Sequence, residues 1–192
     1  MNKSELRKFF LEKQKSIGKK ERELLSQKLS KNFFDNFDLS NVRILHCFLP
    51  IEKFNEINTM LIFERIWEDF PSIKTFAPKV NFQNGEIESI RFQETTKTEE
   101  NRWQIKEPKV GESIEPSEID MILVPLLCFD LNGFRVGYGK GFYDRFLRKC
   151  RPNATKIGIC YFEPVNKIID IQDHDVRLDF CITPELVFRF LN

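Results

Sequence analysis

Four of the chain's eight glycines fall within nine residues, in Gly133 Phe134 Arg135 Val136 Gly137 Tyr138 Gly139 Lys140 Gly141. Glycine admits backbone conformations closed to other residues and lets amides approach an anion closely. An apolar run, Met121 to Leu127, precedes the cluster, and the helix-permissive stretch Phe142 to Lys149 follows it. The resulting order is strand, glycine loop, helix, the arrangement that cradles phosphate at a helix start.

A length of 192 residues with 41% hydrophobic side chains is enough for one domain, residues 1–192, with a sizeable core. The balance of 30 basic against 29 acidic groups provides no global field for nucleic acid or an anionic membrane, so any anion site must be local. Five cysteines lack CxxC or zinc-type spacing, and no signal peptide or long apolar span is visible. A cytoplasmic protein with reduced thiols is the expectation. The 20 phenylalanines are read mostly as core fillers rather than a functional signature.

Leu6, Phe9, Phe10 and Lys13 share one helical register, and Leu24, Leu25, Lys28, Leu29, Asn32 and Phe33 share another, with a break at Ser16 and Gly18. Strands are expected at 42–49, 73–76, 87–92, 120–125, 156–160 and 180–182. Asn58 is the expected cap of a helix carrying Leu61, Ile62, Ile66 and Trp67, and Thr95 to Asn101 reads as a polar loop. Helices and strands alternate throughout, which favours a layered α/β domain. His46, flanked by Ile44, Leu45, Cys47 and Phe48, reads as a strand-packing residue.

The loop fits neither the GxxxxGK[ST] nor the GxGxxG pattern. On spacing alone, a tight surface connection explains its glycines as well as a phosphate cradle does. Arg135, Lys140 and Arg145 add positive charge, and Asp144 is a carboxylate suited to Mg²⁺ beside phosphates or to a helix start.

With these residues in view, the chain resembles the 5-formyltetrahydrofolate cyclo-ligase (methenyltetrahydrofolate synthetase) family over most of its length. The resemblance rests chiefly on Phe129 Asp130 through Gly133, Arg135 and Gly137 to Arg145. Four shorter pieces follow the family's order: Lys3 to Arg7, Glu56 to Thr59, Trp103 to Pro108, and His174 to Asp179. The fold it implies is a three-layer α/β sandwich with a central mixed, mostly parallel sheet, resembling the sugar-phosphate isomerase and CoA-transferase architecture.

The reaction it implies is ATP- and Mg²⁺-dependent. The formyl oxygen of 5-formyltetrahydrofolate attacks the γ-phosphate, N10 closes the ring, and 5,10-methenyltetrahydrofolate, ADP and phosphate result. By this resemblance, Lys3, Ser4, Glu5, Leu6 and Arg7 bind ATP together with Arg135, Val136, Gly137, Tyr138, Gly139, Lys140, Gly141, Phe142 and Tyr143. Lys140 and Arg145 stabilise the moving phosphoryl group, while Asp144 and Asp175 hold Mg²⁺. Ile51, Glu56 and Trp103, with Tyr138 to Phe142, contact the folate, polyglutamylated forms included; a monomer without nucleic-acid or membrane partners is expected. Leu126 Leu127 Cys128 stand where relatives carry small residues and are expected to narrow the pocket. No folate contact is assigned within residues 73–92.

Each residue also has an ordinary use. Lys3 and Arg7 suit a solvated helix face, Glu56 a helix start, Asp175 a turn, and Tyr138, Phe142 and Trp103 core packing. Two other functions stay open: a phosphotransferase acting on another small molecule, and a noncatalytic folate- or nucleotide-binding protein. RNA binding ranks lowest, because no basic patch interleaved with aromatics is visible.

Overall fold

The computed structural model describes residues 1–101 and 104–190. In chain order the elements are α1 (Lys3–Lys15), α2 (Lys19–Asn36), β1 (Ile44–Cys47), α3 (Met60–Asp69), β2 (Lys74–Asn81), β3 (Glu86–Arg91), β4 (Thr98–Glu100), β5 (Lys106–Pro108), β6 (Ser113–Ile114), β7 (Met121–Pro125), β8 (Cys128–Phe129), β9 (Arg135–Val136), α4 (Phe142–Lys149), β10 (Thr155–Ile159), β11 (Phe180–Ile182) and β12 (Val187–Arg189). Short 3₁₀ turns occupy Glu52–Phe54 and Pro116–Glu118.

An eight-stranded sheet runs in the order β12-β11-β10-β7-β1-β2-β3-β6. The strands from β11 to β2 are parallel, and antiparallel β12 at one edge and β3 and β6 at the other complete it. The expected mixed, mostly parallel sheet is therefore present. Alternation on β7 shows why helices cover both faces. Met121 and Leu123 join a core with Leu29 and Phe33 of α2 and Ile62, Phe63 and Ile66 of α3. Ile122 and Val124 turn to the other face, against Phe146 and Leu147 of α4. Each fully buried Leu, Ile or Phe contributes roughly 1.5–3 kcal/mol, so the central strands are nearly continuous apolar runs.

The first helix is fixed at its start by reciprocal bonds. Asn2 Oδ1 accepts from the Glu5 amide at 2.9 Å, and the Asn2 amide donates to Glu5 Oε2 at 3.0 Å. Leu6 and Phe10 of α1 pack on Leu127, Cys128, Val136 and Ile168 as a third, smaller core. Phe9, expected on the same register, is 53% exposed because the buried stripe runs Leu6, Phe10, Gln14 instead.

Three local expectations change. The first helical cap of α3 is Thr59, whose hydroxyl donates to the Phe48 carbonyl, while Asn58 Oδ1 accepts from the Met60 amide at 3.2 Å. The polar stretch from Thr95 contains β4, which pairs with β5 as a separate hairpin. β2 continues past Phe76 through Pro78 to Asn81. β1 pairing ends at Phe76, so Pro78 lies where that edge has no ladder bond to lose. No helix among the described residues is long and apolar enough to cross a membrane.

His46 sits on β1 beneath α4, fully buried, with Nδ1 2.8 Å from Ser89 Oγ and its ring 4.7 Å from Phe146. It is the packing residue expected. Burial holds its pKa down at about 3, so the imidazole is neutral. Because the folded pKa lies below the unfolded value near 6.5, this contribution is intact above pH 6.5 and is lost as pH falls toward 3. Urea unfolding of the parent and His46→Leu at pH 6.5 and 4.5 should show the parent losing about 2 kcal/mol more than the variant. Equal losses would remove His46 as an acid-sensitive element.

Candidate active site

A cavity of about 1070 Å³ opens at the ends of the parallel strands, where Pro125 of β7 and the segment after β1 meet the glycine loop. It is assembled from α1, the segment Phe48–Glu56, β2 and β3, the β5 hairpin, the loop and start of α4, and residues 170–175. This is the strand-end location at which α/β sheets usually bind ligands.

Between β9 and α4 the chain follows the expected strand, loop and helix order. Gly139 and Gly141 take φ of +91° and +65°, and Gly141 is the cap of α4 with no side chain closing the helix start. The amides there are left to an external acceptor. A Cβ on Gly139 would lie 2.9 Å from Arg7 Nε, and that nitrogen donates to the Gly137 carbonyl at 3.0 Å. Arg7 is thus laid across the loop. Gly137 needs no such freedom, since nothing lies within 4 Å of a Cβ built there.

Positive side chains line this end: Lys3, Arg7, Arg135, Lys140, Arg145 and Arg148. They are not equivalent. Arg135 is buried, donating to Asp144 Oδ1 at 2.7 Å and to the Val176 carbonyl at 2.5 Å. Burial lowers its pKa, and the Asp144 carboxylate opposes that shift. Arg145 donates from Nε to the Gly85 carbonyl at 2.9 Å and from Nη2 to the Lys140 carbonyl at 3.1 Å, so it holds the loop in shape. Lys140 is exposed, and among the described residues its ammonium has no hydrogen-bond or ion-pair partner.

Asp144 and Asp175 both line the cavity. Asp144 Oδ1 also accepts from the Val176 amide at 3.2 Å. Asp175 Oδ2 pairs with Lys3 Nζ and accepts from the Gln172 amide at 2.7 Å. No group of three or more metal-ligating side chains occurs among the described residues. Two carboxylates beside a cationic glycine loop nevertheless match what Mg²⁺ takes from a protein when phosphates and water supply the rest.

The other end is apolar, with Phe48, Leu49, Ile51, Phe54, Phe82 and Phe142 on its lining. Glu56 is buried there. Its Oε2 accepts from the Ile51 amide at 2.7 Å, and the Tyr138 hydroxyl bonds its carboxylate. Burial pushes the Glu56 pKa up to about 7 against those two bonds. Tyr138 is clamped by a stacked Phe54 ring at 5.1 Å and by Gln14 Nε2 at 3.1 Å, and its own pKa is raised, first by burial. Among the described residues the buried Tyr143 hydroxyl has no hydrogen-bond partner, and Tyr143 lies on the lining within electrostatic reach of Glu56 and Arg135.

Lys3, Ser4, Arg7, Ile51, Glu56, Arg135 to Arg145 and Asp175 therefore converge on one cavity. Two expected site residues do not join them. The Glu5 side chain is spent on the helix cap, and Leu6 is packed in the third core. Trp103 lies outside the described residues. Leu126, Leu127 and Cys128 are buried in the cores rather than on the lining, so they do not narrow the cavity. Pro78, Val80, Phe82, Ile87 and Glu107 line it although no site residue was expected among them. For Pro78 and Val80 the signal was their alternation on β2, obscured by reading the strand as ended at Phe76.

Comparison with known proteins agrees with this geometry. Residues 1–184 match the 5-formyltetrahydrofolate cyclo-ligase family. The structure is similar to the NMR structure of Aquifex aeolicus 5,10-methenyltetrahydrofolate synthetase, with a TM-score of 0.83 and 30% identity, covering 100% of this chain and 94% of that one. It is also similar to a 5,10-methenyltetrahydrofolate synthetase from Mycoplasma pneumoniae, with a TM-score of 0.75 and 30% identity over 95% of this chain and 98% of that one. A probable 5-formyltetrahydrofolate cyclo-ligase of Schizosaccharomyces pombe is 35% identical over 113 residues, covering 51% of this chain and about half (55%) of that protein. The chain belongs to the 5-formyltetrahydrofolate cyclo-ligase family.

Proposed function

We propose that the cavity binds 5-formyltetrahydrofolate along its apolar end and the triphosphate of ATP along the glycine loop, so that the formyl oxygen meets the γ-phosphate beside Tyr143. The family's reaction converts 5-formyltetrahydrofolate to 5,10-methenyltetrahydrofolate with ATP as co-substrate. The observation carrying the proposed arrangement is that one cavity joins an apolar slot containing a buried carboxylate to a cationic glycine loop. A phosphotransferase with a small polar substrate would have no use for the slot, and a folate binder none for the loop.

In this arrangement the formyl oxygen attacks the γ-phosphorus as the bond to ADP breaks. N10 then attacks the activated formyl carbon, loses its proton, and expels phosphate as the carbon–oxygen bond breaks. The protein contributes position and charge rather than a nucleophile. Lys140 and the amides of Gly139 to Phe142 neutralise charge on the transferred group. Lys3, Ser4, Arg7 and Arg135 hold the nucleotide side, and Arg145 keeps the loop in register. Asp144 and Asp175 would hold Mg²⁺, which would neutralise phosphate charge there. Glu56 faces the polar N–H groups of the folate, with Ile51, Tyr138 and Phe142 against its ring faces. The same reading takes residues 1–192 as one functional domain and as a cytoplasmic monomer acting on small molecules alone, mono- or polyglutamylated, with no nucleic-acid or membrane partner.

Purified protein mixed with Mg·ATP and 5-formyltetrahydrofolate should form the methenyl product, seen by its absorbance, and ADP in equal amount. ADP release that ignores the folate would instead support a phosphotransferase with another substrate. In the same assay Lys140→Ala should lose on the order of 10²-fold in kcat with an unchanged Tm, because an exposed side chain adds little to the core. Parallel loss of Tm and kcat would defeat that role. Glu56 allows a third measurement. Its folded pKa lies above the unfolded value of 4.5, so its contribution is full below pH 4.5 and is lost as pH rises through about 7. Between pH 4.5 and 8 the parent should lose about 3 kcal/mol relative to Glu56→Gln in urea unfolding. Superimposable pH profiles would show that this carboxyl is not desolvated.

A further inference from the structure

The folate end of the cavity is bounded by a hairpin that pairs with no strand of the main sheet. Among the described residues, β4 and β5 form a backbone ladder with each other as a separate two-stranded sheet and with no other strand. The hairpin is nevertheless fastened to β2 at defined points. Glu107, 5% exposed, accepts the Val80 amide on Oε1 at 3.0 Å. Beside it, Lys79 Nζ donates to the Lys109 carbonyl at 2.6 Å and pairs with Glu99 Oε1 at 3.3 Å.

The position of Val80 explains the need for a side-chain acceptor. β1 pairs with β2 only through Phe76, so the amide of Val80 lies past the last strand partner on that edge. A buried amide left without an acceptor costs roughly 1–3 kcal/mol. The Glu107 carboxylate supplies the oxygen that a neighbouring strand would have given. Both sides of the joint belong to the cavity: Pro78 and Val80 of β2, and Ile105, Lys106 and Glu107 at the hairpin.

We propose that Glu107 is a positioning residue for the folate: by seating the hairpin on β2 through Val80, it sets the width of the apolar slot and leaves the phosphate end untouched. This rests on the reading that the slot holds folate. An uncharged oxygen suffices for the bond, so glutamine at this position keeps the joint and alanine opens it.

The test uses Glu107→Ala, Glu107→Gln and the parent, with equilibrium binding of 5-formyltetrahydrofolate, separate KM values for folate and ATP, and amide hydrogen exchange. In Glu107→Ala, the Kd and KM for folate should rise about tenfold, with kcat at saturation and the KM for ATP within about twofold of the parent. Exchange at Val80 and along β4 and β5 should quicken, and Glu107→Gln should restore both binding and protection. Faster exchange with unchanged folate affinity overturns the proposal, as do equal rises in both KM values or a glutamine variant as impaired as alanine. A parent that fails to bind 5-formyltetrahydrofolate overturns the reading of the slot, and this proposal with it. A parent that binds while alanine binds equally well overturns this proposal alone.

Discussion

One buried guanidinium fastens the parts of this site that the sheet itself cannot reach. Arg135 leaves β9, enters the interior, and bonds both the first turn of α4 through Asp144 and the segment after Asp175 through the Val176 carbonyl. Asp144 returns a bond to the Val176 amide, so three remote stretches share one charge pair. Removing either member would strand the other in a desolvated position, a loss of about 3–5 kcal/mol. The same carboxylate lines the cavity, and the architecture of the glycine-loop side is therefore inseparable from its electrostatics.

The two ends of the cavity are governed by different physics. At the loop, charge is displayed: helix-start amides and Lys140 are left facing outward, with Arg7 and Arg145 holding carbonyls so that the loop keeps its shape. In the slot, charge is suppressed. Glu56 is desolvated among aromatic rings, and the Tyr138 hydroxyl that bonds it is itself immobilised by Gln14 and Phe54. Under Tyr143 and Phe146 of α4, His46 is held neutral by the same exclusion of water. The fold thus keeps a basic group unprotonated and an acidic group near its midpoint within one molecule, and their opposing proton demands offset each other on the acid side of neutrality.

What could be read from the sequence follows the range of the interactions involved. Strands β7, β10 and β11 and helix α4 are short apolar or amphipathic runs bounded by clear breaks, and their positions were legible within a residue or so. The glycine loop was legible because positive φ at Gly139 and Gly141 is a local demand. Phe9 was misplaced because nothing local distinguishes it from Phe10; only the contact of Leu6 and Phe10 with Leu127 and Ile168 decides which ring is buried. Glu5 carried a family position but serves the helix cap, since a residue three places after Asn2 is within reach of that amide. The slot was the least visible part. Its wall depends on β2 continuing through a proline, which masks the alternation of Pro78 and Val80, and on a hairpin held by a side-chain acceptor, a tertiary fact that composition and periodicity do not encode.

The pairing of Lys3 with Asp175 spans 172 residues, and the same two elements meet again where Leu6 and Phe10 pack on Ile168. Such a contact repays its chain entropy only after most of the intervening sheet has formed. During synthesis α1 emerges long before its covering segment and must wait with an apolar stripe exposed, the condition in which nascent chains attract chaperones or one another. The wall that α1 completes is consequently among the last parts of the molecule to become competent.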